Sequence, residues 1–450
     1  MMLMRALSRR LSLPADAATL SRAGSLFIVV FLLVVFEGAV RKWVASSATL
    51  PLILLRDLLA MYLVFYVWKR GYFRRQKSVT AVLLAWSCCV AAWGMLQVML
   101  TDGNPLILLI GLRFWLLYLW FGYAAAVTMN ESDYRAAMLV SGALLILLAP
   151  LAVLQYYSPP GAFINSQVDS VEDEVFVAVS GVVRTTGTFS FTSGYTTFLA
   201  VAAPLALAVA SARKRTVRQL AFAGAVFATL VVGTVVSGSR GAVIFTGVLV
   251  GLFVLGQLLF SRTADKGKAL VGAVALLGIA GLFALVFQGA VDTTQQRFQQ
   301  ASEGEDFVER LLTTFIGESN IYNDFTWIGH GIGLGSNLAN YVRTGSTSFF
   351  VLAETEAGRT LLEGGLLGYL FTALKVLVIV VGTGKSLAIA LRSGAMVPLL
   401  LWLTFSLAFL AWSGIGQLTS NAMLGILFGF ALLSLRYPAM DIFPRRLVRS

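Results

Sequence analysis

The sequence predicts an all-α polytopic membrane protein with about twelve transmembrane helices, and three observations predict it. The 450 residues are 58% hydrophobic and only 12% charged, with mean hydropathy +0.82. The apolar residues fall in successive runs of about 18 to 23, the length that spans the hydrocarbon core as a helix. In lipid the backbone must satisfy its own hydrogen bonds, so such runs form helices packed as a bundle.

Taken in order, the spans are expected at about 24–44, 51–68, 79–100, 106–128, 137–157, 194–212, 219–237, 241–260, 269–289, 361–382, 394–413 and 418–435. An even number puts both termini on one side. The loops on that side are a terminal arm (1–23), KRGYFRRQK, the loop with Arg135, RKRTVR, SRTADKGK, GTGKSLAIALR and the tail (436–450). They hold about 23 of the 34 Lys and Arg, against five acids: Asp16, Glu131, Asp133, Asp265 and Asp441. The positive-inside rule makes this side, with both termini, cytoplasmic. The same distribution explains the net charge of +12 without nucleic acid. The arm lacks a short apolar stretch with a small-residue cleavage site and reads as retained. Cys88 and Cys89 are adjacent within an apolar run, which suits packing better than a disulfide or a metal pair.

Two outer segments are large, 158–193 and 290–360, the second lying between spans nine and ten. No soluble domain, internal repeat or low-complexity tract interrupts the chain, so residues 1–450 read as one membrane domain. The stretch from Gln288 to Gly368 is the longest polar interruption, holding the single histidine, His330, and about half of the 22 acids.

Charges at membrane depth pair, line a cavity or carry function. Glu37, Arg41 and Lys42 end the first span and Arg56 and Asp57 begin the second, so ion pairs between those helices are expected. Arg113 and Lys375 sit deeper, as structural cations or facing a cavity for an anionic head group. Arg240, in VVSGSRGAVIF, lies where small residues separate two apolar runs at the outer surface. Its planar fork of donors suits a pyrophosphate, and a helix-end anchor is the plainer role. Arg184, in VVRTTGTFS, can be read the same way.

Several motifs fail on context. GTGKS (382–386) would need a glycine where Ile379 stands, and no strand precedes it. GHGIGLG around His330 follows no strand, which argues against dinucleotide binding. A lone histidine without partner His or Cys argues against zinc, and EGED (Glu303–Asp306) reads as a solvated face, so no metal and no cofactor are expected. His330 reads as a satisfied loop residue, with an acid/base role open. Glu356, Arg359 and Glu363 fall at i, i+3 and i+7 of the helix entering the tenth span. A cation flanked by two carboxylates suits proton transfer and equally a salt-bridged helix entrance.

Four segments, in this order, resemble the O-antigen ligase and polymerase superfamily of bacterial inner-membrane proteins: RTTGTFSFTSGYTTFLA, SGSRGAVIFTGVLVGL, ERLLTTF with WIGHGIGLGSN, and ETEAGRTLLEGGLLGYL. They cover roughly the second half of the chain, and FEGAVRKW looks like a polymerase-like branch. The resemblance implies a GT-C-like bundle with a large periplasmic loop. It implies a glycosyltransferase using a polyprenyl-diphosphate-linked sugar at the periplasmic face, without metal or nucleotide sugar. The family's diphosphate-binding arginines map onto Arg184 and Arg240, with Arg310 matching less closely, and Arg359 joins them as a candidate. The ligases place a histidine about nine residues before the Glu aligned with Glu363, and here Glu354 stands at that position. That departure favours a polysaccharide polymerase over a ligase and leaves Glu354, Glu356 and Glu363 as candidate bases.

The expected function is therefore transfer of a polyprenyl-diphosphate-linked glycan onto a lipid-linked repeat unit. The alternatives are a ligase with a lipid or protein acceptor, and a flippase for the same lipid-linked glycan, which would more often show inverted repeats. Expected partners are the polyprenyl-diphosphate-linked oligosaccharide and membrane lipid, with a chain-length regulator left open.

Overall fold

The computed structural model describes residues 20–101, 103–166, 183–260, 307–318, 321–344 and 352–444, with scattered helical positions between 267 and 295. Among these residues ten helical crossings are long and apolar enough to span a membrane. The first eight are α1 (Arg22–Trp43), α2 (Thr49–Lys69), α3 (Lys77–Leu100), α4 (Pro105–Leu112) joined by a π turn to α5 (Tyr118–Thr128), α6 (Glu131–Tyr157), α7 (Thr192–Ser211), α8 (Val217–Val236) and α9 (Arg240–Phe260). Short helices follow: α10 (Phe307–Ile316), α11 (Ile321–Asp324), α12 (Asn337–Thr344) and α13 (Glu356–Gly364). The chain then crosses as α14 (Leu366–Ser393), returns as the 16-residue α15 (Met396–Ala411) and ends in α16 (Leu418–Arg436).

Helix starts follow local chemistry. Asn130 and Asp133 form a capping box on α6, and Asp133 also accepts from Ser21 N and Oγ at 2.9 and 2.6 Å. Ser21 in turn caps α1 by accepting from Gly24 N, so one carboxylate fastens two helix beginnings together. Pro105 at the first position of α4 needs no N–H partner there, and Asn104 caps that helix.

The two ends of the bundle differ in chemistry. One, the basic face, carries Lys69–Lys77, Arg213–Arg218, Arg392 and Arg436; the other, the loop face, carries the described residues 158–166, 183–192, 307–318, 321–344 and 352–365. Phe260 lies beside Gly394 at the basic face. Glu318, just after α10, accepts from Thr355 at the start of α13 on the loop face. The chain is thus on opposite faces at Phe260 and at Glu318; the expected ninth span, 269–289, lies mostly outside the described residues.

The centre is built by close approach of α5 and α16. A Cβ on Gly122 would meet Gly425 O at 2.5 Å, and one on Gly425 would meet Tyr118 O at 2.5 Å, so both positions need glycine. Phe27, Phe121 and Phe430 pack around this contact, with Phe27 stacked on Phe121 at 5.5 Å.

The charges of the first two spans do pair. Arg56, fully buried, donates to Glu37 at 2.5 Å and to Asp57 at 3.3 Å, while Arg113 grips Asp57 at 2.8 and 3.0 Å. Tyr118 also donates to Asp57, and Arg113 reaches Asn421 Oδ1 at 3.0 Å, which ties α1, α2, α5 and α16 together. Lys42 departs from the expected ion pairs, donating instead to Thr186 Oγ1 and Gly187 O at 2.8 Å each. Its carboxylate neighbour Glu37 is already held by Arg56.

Three further expectations need correction. The tenth span was placed at 361–382, but the helix breaks at Gly365, whose φ of +54° lies in the left-handed region, and the crossing runs 366–393. The reason is compositional: Glu356–Gly364 is polar and buried inside protein, and the lipid-grade run begins at Leu366. The eleventh span is a helix of only 16 residues, about 24 Å long. Cys88 and Cys89 are free and both lie on the outward surface of α3 rather than in its packing.

Candidate functional site

The 326–336 turn and α13 form one clasp at the loop face. Gly329, Gly331 and Gly333 all have positive φ, which lets the chain reverse tightly enough to aim its amides at α13. Glu363 Oε2 accepts from Gly333 N at 3.0 Å and from Trp115 Nε1 at 2.9 Å, and Oε1 accepts from Gly335 N at 2.8 Å. Gln97 completes the clasp, donating to Ile328 O and Glu363 O and accepting from Ile332 N at 2.9 Å. Burial pushes the Glu363 carboxyl up to about 7, against the three donors and Arg359, which pull it down. His330 is a loop residue here: its N donates to Leu362 O, and its Nε2 lies 2.7 Å from Asp324 O.

The three residues expected to share a salt-bridged face do share α13, but they find other partners. Glu356, 3% exposed, takes Lys375 Nζ at 3.1 Å and Ile415 N at 3.2 Å. Arg359, 1% exposed, donates to Ser413 Oγ and to Ala353 O, and its Nε is buried without a partner among the described residues. Arg359 and Glu363 therefore do not pair, because the glycine turn already supplies the donors that Glu363 needs. Glu354 lies before the helix, exposed, with no hydrogen bond or ion pair among the described residues. Thr355 caps α13 and is itself held by Glu318, at 2.7 Å through its N and 2.9 Å through its hydroxyl.

Beside α13 a cavity of about 420 Å³ opens between α7, α9, α15 and the 412–420 turn. Ser193, Thr196, Thr197 and Ala200 line it from α7, and Thr404, Leu407, Ala408 and Ala411 from α15. Each set is an i, i+3, i+4, i+7 stripe, so the cleft runs about 10 Å along both helices. Its upper end is polar, with Ser239, Ser413, Gln417 and Ser420; its lower end is Ala200, Phe245, Leu407 and Thr404, whose hydroxyl is spent on Leu400 O. Three helices begin at the polar end: α7, α9 and α16. Neither α7 nor α16 has a side-chain cap, so their first amides and positive dipole ends face this region. Ser413, the acceptor of Arg359, is part of the lining.

A second cavity of about 390 Å³ adjoins the first and shares Ser193 and Gln417 with it. Arg41, Thr49, Ser190, Asn337 and Tyr341 are among its walls.

The expected arginines are placed as follows. Arg240 is the first residue of α9, between Ser239 and Gly241, both of which line the first cavity. Arg184 leads into the buried 185–190 segment, which Gln155 fixes by accepting from Thr186 N and Gly187 N at 3.2 and 2.7 Å. That segment supplies Phe189 and Ser190 to the second cavity. Arg310 belongs to α10, and its side chain lies outside the described residues. Arg359 stands behind Ser413. Lys375, expected as a deep structural cation, is the partner of Glu356. Sequence reasoning missed Gln97 and Trp115, which hold Glu363, and Glu318, which holds the Thr355 cap; a lone Gln or Trp in an apolar run carries no signal of its distant partner. Comparison of the chain with protein-family models and with curated proteins found no match to either.

Proposed function

We propose that this chain is a membrane glycosyltransferase, a polysaccharide polymerase that moves a glycan from polyprenyl diphosphate onto a lipid-linked repeat unit. The amphipathic cleft beside α13 is the observation that carries this reading. A donor of this class has an apolar tail, a diphosphate and a sugar, and the cleft offers an apolar floor, uncapped helix N-termini with hydroxyls, and an open mouth in that order. Arg240 stands at the diphosphate level. The positive-inside distribution supports a periplasmic loop face.

In the reaction the acceptor hydroxyl oxygen forms a bond to the anomeric carbon. The bond from that carbon to the phosphate oxygen breaks, and its electron pair leaves on polyprenyl diphosphate. Charge developing on the leaving group is stabilised by Arg240 and the helix N-termini, which are oriented before the reaction begins. The hydroxyl proton goes to a carboxylate with a free oxygen. Glu354 fits that role best, because Glu356 and Glu363 already accept at both oxygens.

The test is the glycan made by cells lacking this chain and complemented with wild type or Arg240→Ala. Lipid-linked single repeat units accumulating outside the cytoplasm, with polymer missing, support the polymerase. Polymer that forms but never joins its final acceptor points to a ligase. Repeat units held on the cytoplasmic side overturn both in favour of translocation.

A further inference from the structure

The second cavity lies beside the proposed donor cleft, and its lining, unlike that of the cleft, includes a guanidinium. Leu50, Ile53, Phe189, Leu338 and Leu418 give it an apolar portion, which suits the lipid-linked part of a substrate. Its walls combine a guanidinium (Arg41), hydroxyls (Ser46, Ser47, Ser190), an amide (Asn337) and aromatic rings (Tyr341, Phe191). Asn337 Oδ1 is buried and accepts no hydrogen bond among the described residues. Asn337 N donates to Gly416 O at 3.0 Å, which holds the start of α12 against the turn before α16. Arg41 is likewise held in place, its Nε donating to Thr49 Oγ1 at 2.9 Å, and Thr49 passes the chain on to Ser46 O at 2.7 Å.

A buried acceptor left open costs stability unless a ligand or water supplies its donor. The ligand class that matches hydroxyl and amide groups beside the exposed ring of Tyr341 is a saccharide. Sugar hydroxyls both donate and accept, and the C–H face of the ring packs on an aromatic side chain. The geometry points to this cavity as the acceptor subsite, holding the terminal sugar of the glycan that receives the transferred chain. The shared wall, Ser193 and Gln417, is then where the acceptor hydroxyl meets the anomeric carbon of the donor. This rests on the glycosyl-transfer reading above and adds a place for the second substrate.

The experiment uses Tyr341→Ala and Asn337→Ala beside Arg240→Ala, in the full chain. Tyr341 is 45% exposed, so its truncation removes a ring face without opening the core. Two quantities are read: retention of undecaprenyl diphosphate by the purified protein in native mass spectrometry, and polymer against unreacted lipid-linked repeat units in cells. The acceptor subsite predicts that both wall variants keep undecaprenyl diphosphate as wild type does, yet lower polymer by about tenfold, the loss of one good contact in transfer. Arg240→Ala should lower both readings. Wall variants with wild-type polymer beside a defective Arg240→Ala overturn the subsite and leave the transferase intact. Undecaprenyl diphosphate not retained by wild type, with polymer unchanged in all three variants, overturns the transferase itself.

Discussion

Trp115 donates its indole N–H to Glu363 Oε2 at 2.9 Å, across 248 residues of sequence, and so joins the fourth crossing to α13, the short helix that precedes α14. Gly333 N and Gly335 N converge on the same carboxylate. Replacing Glu363 with Ala leaves three buried donors unpaired, and the expected loss is roughly 3 kcal/mol or more. Trp115→Phe removes one donor and a little volume, with an expected loss of about 1 kcal/mol. Thermal melting of the purified protein in one detergent orders the variants; equal melting temperatures would mean that the clasp carries no stability.

The same carboxyl predicts a pH dependence. Its pKa is raised from 4.5 to about 7 by burial, so the folded state holds a proton that the unfolded state has lost between those values. Stability from this group is complete below about pH 4.5 and declines as pH rises through 7, by on the order of 3 kcal/mol. Glu363→Gln, which stays neutral, should flatten that part of the profile. A variant with the same slope as wild type between pH 5 and 8 would assign the slope to other groups.

Glu354 is exposed and takes no partner among the described residues, whereas Glu356 is buried against Lys375. Glu354→Gln should leave the melting temperature within about 1 °C of wild type, as expected for a surface change. It should lower polymer formation by about a hundredfold, the usual range for a general base. Wild-type polymer from this variant would move the base to another group.

Arg56 is fully buried between Glu37 and Asp57. Arg56→Ala strands Glu37 in the interior and should cost roughly 3–5 kcal/mol. Arg56→Met together with Glu37→Leu removes both charges and should recover most of that loss. Yield and melting of the single and double variants measure it. A double variant no better than the single one would show that packing around Arg56, rather than charge, sets the cost.

The sequence made the bundle legible because lipid imposes a strong rule on composition: long apolar runs are helices, and their ends show as charges. The ion pairs of Glu37, Arg56 and Asp57 were legible for the same reason, since unpaired charge at that depth is costly. The fate of Glu356, Arg359 and Glu363 was not. Helical spacing put them on one surface, and from that alone mutual pairing was as good as any other outcome.

By itself the sequence determined an all-helical membrane protein, the basic and loop faces, and which polar residues stand at membrane depth. Tertiary structure alone decided which of them stay available. Lys375 takes Glu356 from 19 residues away, Ile415 N takes it from 59, and the glycine turn with Trp115 takes Glu363. Glu354 is left open among the described residues, and Ser193 and Gln417 come to divide two cavities that no local pattern describes. The physical reason is that helix formation is settled within a run of neighbours, while the pairing of a buried polar group depends on which distant donor the packed bundle delivers to it.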